Sequence, residues 1–246
     1  MKKPALIILL TSLGGLLFSA GPAIAEPPCP PCLEFDRLDK QIRDGKLPRA
    51  EAEHRFREVV ARLDDHLAGG SPGKAVAWVF PLPGQNLAST GAAADQGYVT
   101  AGYDYFDGNR HGGHPSYDLF IHDRNRDSRD DATGEPVIVR AMTAGVVVAA
   151  EPQWAETSTL RGGRYLWIYE PVEHLLIYYA HNRDLLVAVG DRVMPGTPIA
   201  TVGRSGFNAY RQRSPTHLHL TVLRLENGRP RPINILPRLA KLPRQD

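Results

Sequence analysis

A chain of 246 residues is long enough for one sizeable domain, or for one domain with a small appendage. Its composition, 42% hydrophobic and 23% charged, is that of an ordinary soluble globular protein. The formal charge of +2 comes from Lys2 and Lys3, so residues 26–246 balance 27 basic against 27 acidic groups, which argues against nucleic acid as the main partner.

The first 25 residues have the pattern of a secretory signal peptide. Two lysines precede a short apolar run over residues 5–18, and residues 23–25 read Ala-Ile-Ala, an A-x-A cleavage pattern. The run is too short for a membrane span, and no later apolar stretch is as long. We therefore expect an exported protein, periplasmic or secreted, with no stable membrane span after cleavage and no lipid anchor.

The two cysteines, Cys29 and Cys32, form a Cys-Pro-Pro-Cys segment just after the predicted cleavage site. Such a pair is redox-active when it caps a helix in a βαβ unit, but no βαβ pattern surrounds it here. A zinc site needs about four ligands, and this pair has no neighbours to supply the others. A local disulfide, formed in an oxidising compartment, is the favoured interpretation.

Residues 33–68 show the apolar periodicity of a helical hairpin. Leu33, Leu38 and Ile42 have the spacing of one helical face, residues 45–48 form a break, and a second periodic run follows from Phe56 to Leu67. The hairpin is too small to be stable alone, so it is expected to pack on the body of the protein or on a regulatory protein partner. A Gly/Ser/Pro-rich linker follows, so residues 26–75 are predicted to form an N-terminal segment.

From residue 76 the pattern becomes β-rich, with short apolar or alternating runs separated by Gly and Pro. The predicted fold is mainly β, an antiparallel β-sandwich or partial barrel, with one domain over residues 76–240. The predicted strands cover residues 76–80, 116–121, 136–140, 144–150, 164–170, 174–181, 197–202 and 216–224. Long surface loops are expected at 122–134, 151–163 and 204–215.

The last of these strands carries His217 and His219. Residues at i and i+2 of a strand point to the same face, so both imidazoles lie on one side of the sheet and Leu218 and Leu220 lie on the other. Two adjacent imidazoles suit a metal ion, although two surface histidines on an edge strand would give the same pattern.

A second group of potential ligands, His114 and Asp118, lies about a hundred residues earlier. Asp118 begins an apolar strand, and His114 sits in the Gly/Pro-rich turn that leads into it. Two imidazoles and one carboxylate suit zinc, and an open fourth position is typical of a catalytic site. A turn histidine and a strand-start aspartate without any metal remain the alternative.

The order His114-x-x-x-Asp118 and then His217-x-His219 resembles the signature of the lysostaphin-like (LytM-type) zinc metallopeptidases, which are peptidoglycan endopeptidases. The resemblance covers residues 76–236. It includes the opening strand at 79–84, the paired segments at 134–137 and 144–147, the Tyr-Ala-His strand ending at His181, and the Gly-rich hairpin at 189–206.

The resemblance implies that His114, Asp118 and His219 hold Zn²⁺, and that His181 and His217 are catalytic histidines that do not bind the metal. It also implies that the substrate is a peptide cross-link or stem peptide of the bacterial cell wall. In a periplasm the expected bond joins D-alanine to diaminopimelate. The alternative is a non-catalytic or latent relative that regulates another cell-wall hydrolase.

Two departures leave alternatives open. His111 stands seven residues before Asp118, a His-x6-Asp spacing similar to that of D-Ala-D-Ala dipeptidases, so His111 is a rival ligand. The loop at 123–131 has oxygen-bearing side chains at calcium-loop spacing. It has Ser128 and Gly134 where that motif needs Gly and Glu, so a solvated surface loop is the other interpretation.

Overall fold

The computed structural model describes residues 29–68, 78–91, 97–211 and 214–244. The predicted signal peptide and the linker at 69–75 lie outside these described residues. The helices are α1 (Pro30–Arg43), α2 (Arg49–Ala68), a short 3-10 segment (Tyr105–Arg110) and α3 (Leu236–Leu239). None of the helices in the described ranges is both long and apolar enough to cross a bilayer.

The described residues form nine strands joined in one antiparallel sheet. The strands are β1 (Ser116–Phe120), β2 (Ile138–Arg140), β3 (Gly145–Glu151), β4 (Arg164–Glu170), β5 (Leu175–Leu185), β6 (Arg192–Val193), β7 (Pro198–Val202), β8 (His217–Glu226) and β9 (Arg229–Pro232). The main order is β1-β8-β5-β4-β3-β6, while β7 pairs with both β2 and β5, and β9 pairs with β8.

The sheet has a buried apolar face, because alternate side chains of the central strands are hydrophobic. Leu119, Leu166, Ile177, Leu218 and Leu220 are fully buried on this face and belong to one core. Side chains of the β2–β7 pair join the same core and cover part of the face. The predicted fold class, mainly antiparallel β with an N-terminal helical hairpin, is confirmed.

The strand predicted at residues 76–80 is wrong for the part of it that the structure describes. Residues 76 and 77 lie outside the described ranges, and Trp78 to Phe80 are buried but do not form a strand. The amide of Val79 donates to the carbonyl of Met142 at 3.0 Å, and the carbonyl of Pro81 accepts from the amide of Arg140 at 2.8 Å, so this segment lies beside β2 and the turn after it without forming a strand.

The helical hairpin begins earlier than the periodicity suggested. The predicted Cys29–Cys32 disulfide is present, and Cys29 is the N-cap of α1, with its Sγ accepting from the amide of Cys32 at 3.3 Å. Both cysteines are buried. The helix starts at Pro30, and its inward face carries Phe35. Leu33 is 46% exposed, contrary to the expectation that Leu33 lies on the apolar face.

The hairpin packs on the chain's own sheet. Phe35 and Phe56 join a second core with Tyr165, Trp167 and other residues of the sheet face opposite the first core. Ion pairs surround this contact: Arg43 with Glu151 at 2.8 Å, and, on the outer side, Arg49 with Asp104 and Glu53 with Arg229. The apolar face of the hairpin is therefore used within the molecule, and a protein partner at residues 33–68 stays a prediction.

A carboxylate, Asp39, is buried at the centre of this contact and is only 4% exposed. Its two oxygens accept hydrogen bonds from the hydroxyls of Tyr105 at 2.9 Å and Tyr165 at 2.7 Å. Burial raises the pKa of Asp39 to about 6, while these two hydrogen bonds and the charge of Arg43 act in the opposite direction and Asp36 adds to the rise. Ionising Asp39 in the folded protein therefore costs free energy.

We predict that Asp39→Asn changes the pH dependence of stability. An acid whose pKa is raised by folding stabilises the fold fully below its unfolded pKa, and that stability is lost as the pH rises through its folded pKa. A rise from 3.8 to about 6 corresponds to a loss of about 3 kcal/mol between pH 3 and pH 7 in the wild type. Urea unfolding at these pH values should show Asp39→Asn gaining about this much relative to wild type. Parallel stability curves for the two proteins would contradict the account.

Candidate metal centre

Three of the predicted site residues are brought together by the pairing of β1 with β8. Asp118 lies directly opposite His219 in this antiparallel register. Residues that face each other across two strands point to the same side of the sheet. His114 precedes β1 and is held by a two-way backbone bridge to Val99, with N···O distances of 2.6 and 2.8 Å.

The ligand atoms of these three residues converge. Nε2 of His114 lies 3.3 Å from Oδ1 of Asp118, and Nδ1 of His219 lies 3.2 Å from the same oxygen. A tetrahedral zinc ion with bonds of about 2.0–2.1 Å holds its donor atoms about 3.3 Å apart. The separations and the donor types, two imidazoles and a carboxylate, therefore fit zinc.

The second contacts of the two imidazoles leave the converging nitrogens free to bind a metal. Nδ1 of His114 lies 2.7 Å from the carbonyl oxygen of Gly97. A carbonyl only accepts, so this nitrogen carries a proton and Nε2 is the nitrogen that a metal can bind in place of a second proton. Nε2 of His219 lies 3.4 Å from Oγ1 of Thr221, which leaves Nδ1 directed at Asp118. Metal-binding histidines are commonly oriented in this way.

His181 and His217 lie beside this cluster, with ring centroids 5.0 Å apart, and the ring of His181 lies 5.2 Å from that of His219. Nδ1 of His181 lies 2.8 Å from the carbonyl of Ser205, and Nδ1 of His217 lies 2.7 Å from the carbonyl of Pro215. By the same reasoning Nδ1 of each ring carries a proton, and in the neutral ring the lone pair is on Nε2. Two proton acceptors thus stand next to the three converging ligand atoms.

The described residues contain a second possible ligand group, formed by His181, His217 and His219. This group lacks a carboxylate and shares His219 with the first. Because Asp118 gives the first group a hard anionic donor, His114, Asp118 and His219 are the better match for a zinc site.

The charges of the cluster shift its pKa values in opposite directions. Burial tends to raise the pKa of Asp118, but the hydrogen bonds of His114 and His219 and the charges of His219 and His217 lower it well below its usual range. The hydrogen bond to Asp118 raises the pKa of His114. Burial lowers the pKa of His219 and lowers that of His181 further.

The backbone of His181 is in the left-handed region, with φ of 64°, next to a bulge in the pairing of β5. This conformation is uncommon for a residue with a Cβ and costs free energy, and such strain is frequent at functional sites. The turn at Ser205 and Gly206 holds the ring in place. A Cβ at Gly206, whose φ is 110°, would lie 2.8 Å from Nδ1 of His181 and 2.3 Å from the carbonyl oxygen of Arg161.

The cluster opens into a cavity of about 260 Å³. One part of its wall is formed by the five predicted site residues, His114, Asp118, His181, His217 and His219. The rest is formed by residues of α1, the 3-10 segment, β4, β5 and the loops at 151–163 and 204–215, including Asp39, Arg43, Tyr103, Arg161 and Tyr178.

His111 lies on the cavity wall but outside both ligand groups of the described residues. Its Nδ1 contacts the carbonyl of Gly112 at 2.8 Å, and its ring packs against Tyr103 with a centroid distance of 4.7 Å. The geometry therefore favours His114 over His111 as the first ligand.

The acidic loop at 123–131 uses its carboxylates to close itself. Asp123 accepts from the amides of Asp127 and Ser128 and from the hydroxyl of Thr216, the residue before His217. Asp131 accepts from the amide of Arg124. Within the described residues this loop holds no converging group of three or more His, Cys, Asp or Glu ligands.

Sequence reasoning did not identify the residues that orient the four site imidazoles or those that line the far wall of the cavity. Ser205 and Pro215 act through backbone carbonyls, and any residue type has a carbonyl. Asp39 lies at a buried position of the apolar face of α1, and a carboxylate at such a position was a signal that could have been noticed.

Comparison with known proteins supports a peptidase. Residues 130–233 match the model of Peptidase family M23. The match includes His181, His217 and His219 and leaves out His114 and Asp118. It confirms the predicted resemblance to the lysostaphin-like peptidases, and no curated protein matches the sequence.

Several solved structures are similar to this chain. The catalytic domain of lysostaphin from Staphylococcus simulans is 22% identical over 52% of this chain and 80% of that one, with a TM-score of 0.37. A putative glycyl-glycine endopeptidase from Ruminococcus gnavus is 20% identical over 86% and 90%, with a TM-score of 0.43. A zinc-containing peptidase from Vibrio cholerae is 22% identical over 69% of this chain but 38% of that one, with a TM-score of 0.34.

We predict that Gly206→Ala displaces His181. A positive φ costs about 1–2 kcal/mol for a residue with a Cβ, and the contacts with His181 and Arg161 add about 1–3 kcal/mol of overpacking. Gly196→Ala is the matched control, because φ there is 89° and nothing lies within 4 Å of the added Cβ. Urea unfolding should show the larger loss for Gly206→Ala, and NMR should show a shifted His181 imidazole in that variant alone. Equal losses with unshifted signals would contradict this packing.

Proposed function

We propose that this chain is an exported zinc metalloendopeptidase that hydrolyses peptide cross-links or stem peptides of bacterial peptidoglycan. In this proposal residues 1–25 are a signal peptide, residues 76–240 are the peptidase domain, and the protein acts in the periplasm or outside the cell. His114, Asp118 and His219 bind the zinc ion, and His181 and His217 are catalytic.

The observation that carries the proposal is the convergence of three donor atoms beside two further imidazoles. Nε2 of His114 and Nδ1 of His219 stand 3.3 and 3.2 Å from one oxygen of Asp118. These distances match the edge of a tetrahedral zinc site, with three protein ligands as in catalytic rather than structural sites. The family match over residues 130–233 independently supports a peptidase.

A zinc ion bound by these residues would polarise the scissile carbonyl and lower the pKa of water to about 7. The protein residues then have defined tasks. His114 and His219 keep their lone pairs toward the ion because Gly97 and Thr221 engage their other nitrogens. Asp118 supplies the negative charge that offsets the ion.

Proton transfer belongs to His181 and His217. Each has Nδ1 engaged by a backbone carbonyl, so its Nε2 can accept a proton at the site of reaction. One ring takes the proton of the attacking water as the new C–O bond forms. The other ring, when it also carries a proton on Nε2, donates a hydrogen bond to the developing oxyanion, and the proton taken from the water passes to the amine when the C–N bond breaks.

The identity of the first ligand is tested by metal content. His114→Ala removes one of three protein ligands, so we expect it to lose bound zinc, whereas His111→Ala should keep about one zinc per chain. Elemental analysis after dialysis against a weak chelator measures both. Zinc lost from His111→Ala but kept by His114→Ala would reverse the assignment.

The activity is tested on isolated cell-wall sacculi by mass spectrometry of the released muropeptides. Residues 26–246 loaded with zinc should convert cross-linked dimers to monomers or release shortened stems, and the masses identify the bond. His181→Ala and His217→Ala should keep zinc and lose on the order of 10²-fold or more in rate.

An unchanged muropeptide profile with zinc bound would contradict the endopeptidase and favour a latent relative or a regulator of another hydrolase. Full activity in both histidine variants would overturn the catalytic assignment while leaving the metal site in place.

A further inference from the structure

The ligand cluster belongs to a row of neighbouring residues that crosses the sheet from strand to strand. Asp118 on β1 pairs with His219 on β8, and His219 pairs with Ala180 on β5. Beside Ala180 the pairing of β5 with β4 shifts its register, and Tyr165 of β4 lies in this shift. Tyr165 in turn pairs with Glu151 on β3. The row leads from the candidate metal centre to the surface on which α1 lies.

Asp39 of α1 contacts this row at its member on β4, Tyr165. It lines the same cavity as the metal-centre residues, and its carboxylate accepts from Tyr165, the member of the row on β4. β8 and β4 are two strand spacings apart, roughly 10 Å. The cavity is thus long enough for a peptide segment between the reacting centre and Asp39.

Asp39 is a buried carboxylate that forms no salt bridge with any part of the chain that the structure describes. It is 4% exposed, and its two hydrogen bonds come from neutral tyrosine hydroxyls. Its pKa, raised to about 6, still leaves it mostly ionised at pH 7. A buried negative charge without a cation is costly, and a cation from outside the chain would offset that cost.

Arg43, the cation whose charge acts on Asp39, makes its direct contacts with other groups. Its guanidinium bonds Asp44 at 2.7 Å and Glu151 at 2.8 Å, and it donates to the hydroxyl of Tyr165 at 3.2 Å. Arg161, the other arginine of the cavity wall, donates to the carbonyl of His111 at 2.6 Å. Neither arginine pairs with Asp39.

The walls around Asp39 are aromatic. The ring of Tyr178 packs at a tilt against Trp167, with a centroid distance of 4.5 Å, and against Tyr165 at 5.1 Å, and Tyr103 and Tyr105 line the same space. Aromatic faces attract an organic cation, and they exclude water around it. A carboxylate at the end of an aromatic wall is the chemistry that recognises an ammonium group.

We propose that this end of the cavity, formed by Asp39 of α1 and the aromatic side chains of β4, β5 and the 3-10 segment, is a specificity subsite for a primary ammonium group of the peptide substrate. The proposal rests on the proposed function, since the peptide reacts at the metal centre. A peptide residue spans at most about 3.3–3.6 Å, so the ammonium group belongs to a residue within about three positions of the cleaved bond.

The proposal gives the helical hairpin a role in the site. α1 carries the carboxylate and closes the side of the cavity next to β4. The hairpin would then select substrates that carry a free amine, and it would do so without contacting the reacting atoms.

The test is binding to the zinc-free protein, in which no peptide is cleaved. The probes are the N-terminally acetylated tetrapeptide N-acetyl-L-Ala-D-Glu-L-Lys-D-Ala and its Nε-acetyl-lysine form, in which no ammonium group remains. Isothermal titration calorimetry should give about tenfold tighter binding of the free amine to wild type, as expected for one charge-assisted hydrogen bond. Asp39→Asn should abolish the preference.

Asp65→Asn is the matched control, because it makes the same chemical change on an exposed position of α2 and should leave the preference intact. Equal affinity of wild type for both peptides, no measurable binding of either, or a preference that survives in Asp39→Asn would each overturn the subsite. Urea unfolding at pH 7 checks that Asp39→Asn is folded.

Digestion of native and amine-acetylated sacculi by zinc-loaded wild type separates the two proposals. Faster release from native sacculi, lost in Asp39→Asn, supports both. Equal release from the two kinds of sacculi overturns the subsite and keeps the peptidase. A binding preference without release from either kind contradicts the peptidase and keeps the subsite.

Discussion

The register between β1 and β8 is the constraint on which the site depends. It sets Asp118 opposite His219 and Leu119 opposite Leu218. A slip by one residue would turn the ligands into the core and the leucines toward the cavity, so burial of the two leucines fixes the ligand geometry. Unfavourable burial of His and Asp side chains and favourable burial of Leu therefore select the same register.

Three backbone carbonyls and one hydroxyl then orient the four imidazoles of the site. Gly97, Ser205 and Pro215 each accept from one Nδ1, and Thr221 engages the remaining ring. The strained backbone at His181 and the close approach of Gly206 belong to the same arrangement, which fixes where each unprotonated nitrogen points. The hairpin adds a second layer, because α1 brings a buried carboxylate to the far end of the cavity.

Much of the candidate site could be predicted from the sequence. Alternation along a strand places His217 and His219 on one face, and Asp118 belongs to the strand that pairs with theirs. The ligand separations could not, because they depend on the β1–β8 register and on the turn that returns His114 to Val99. The docking of the hairpin was also beyond sequence reasoning. Its apolar face is compatible with packing on the sheet or on a partner, and its packing on the sheet is visible only in tertiary contacts such as those of Asp39 with Tyr105 and Tyr165.

The most direct test of the central claim is a crystal structure of the zinc-loaded protein with diffraction recorded on both sides of the zinc absorption edge. We expect one anomalous peak, from a zinc ion that lies about 2.0–2.2 Å from Nε2 of His114, an oxygen of Asp118 and Nδ1 of His219. His181 and His217 should stand beside the ion without binding it. A peak coordinated by His181, His217 and His219, or no peak at this cluster, would contradict the account.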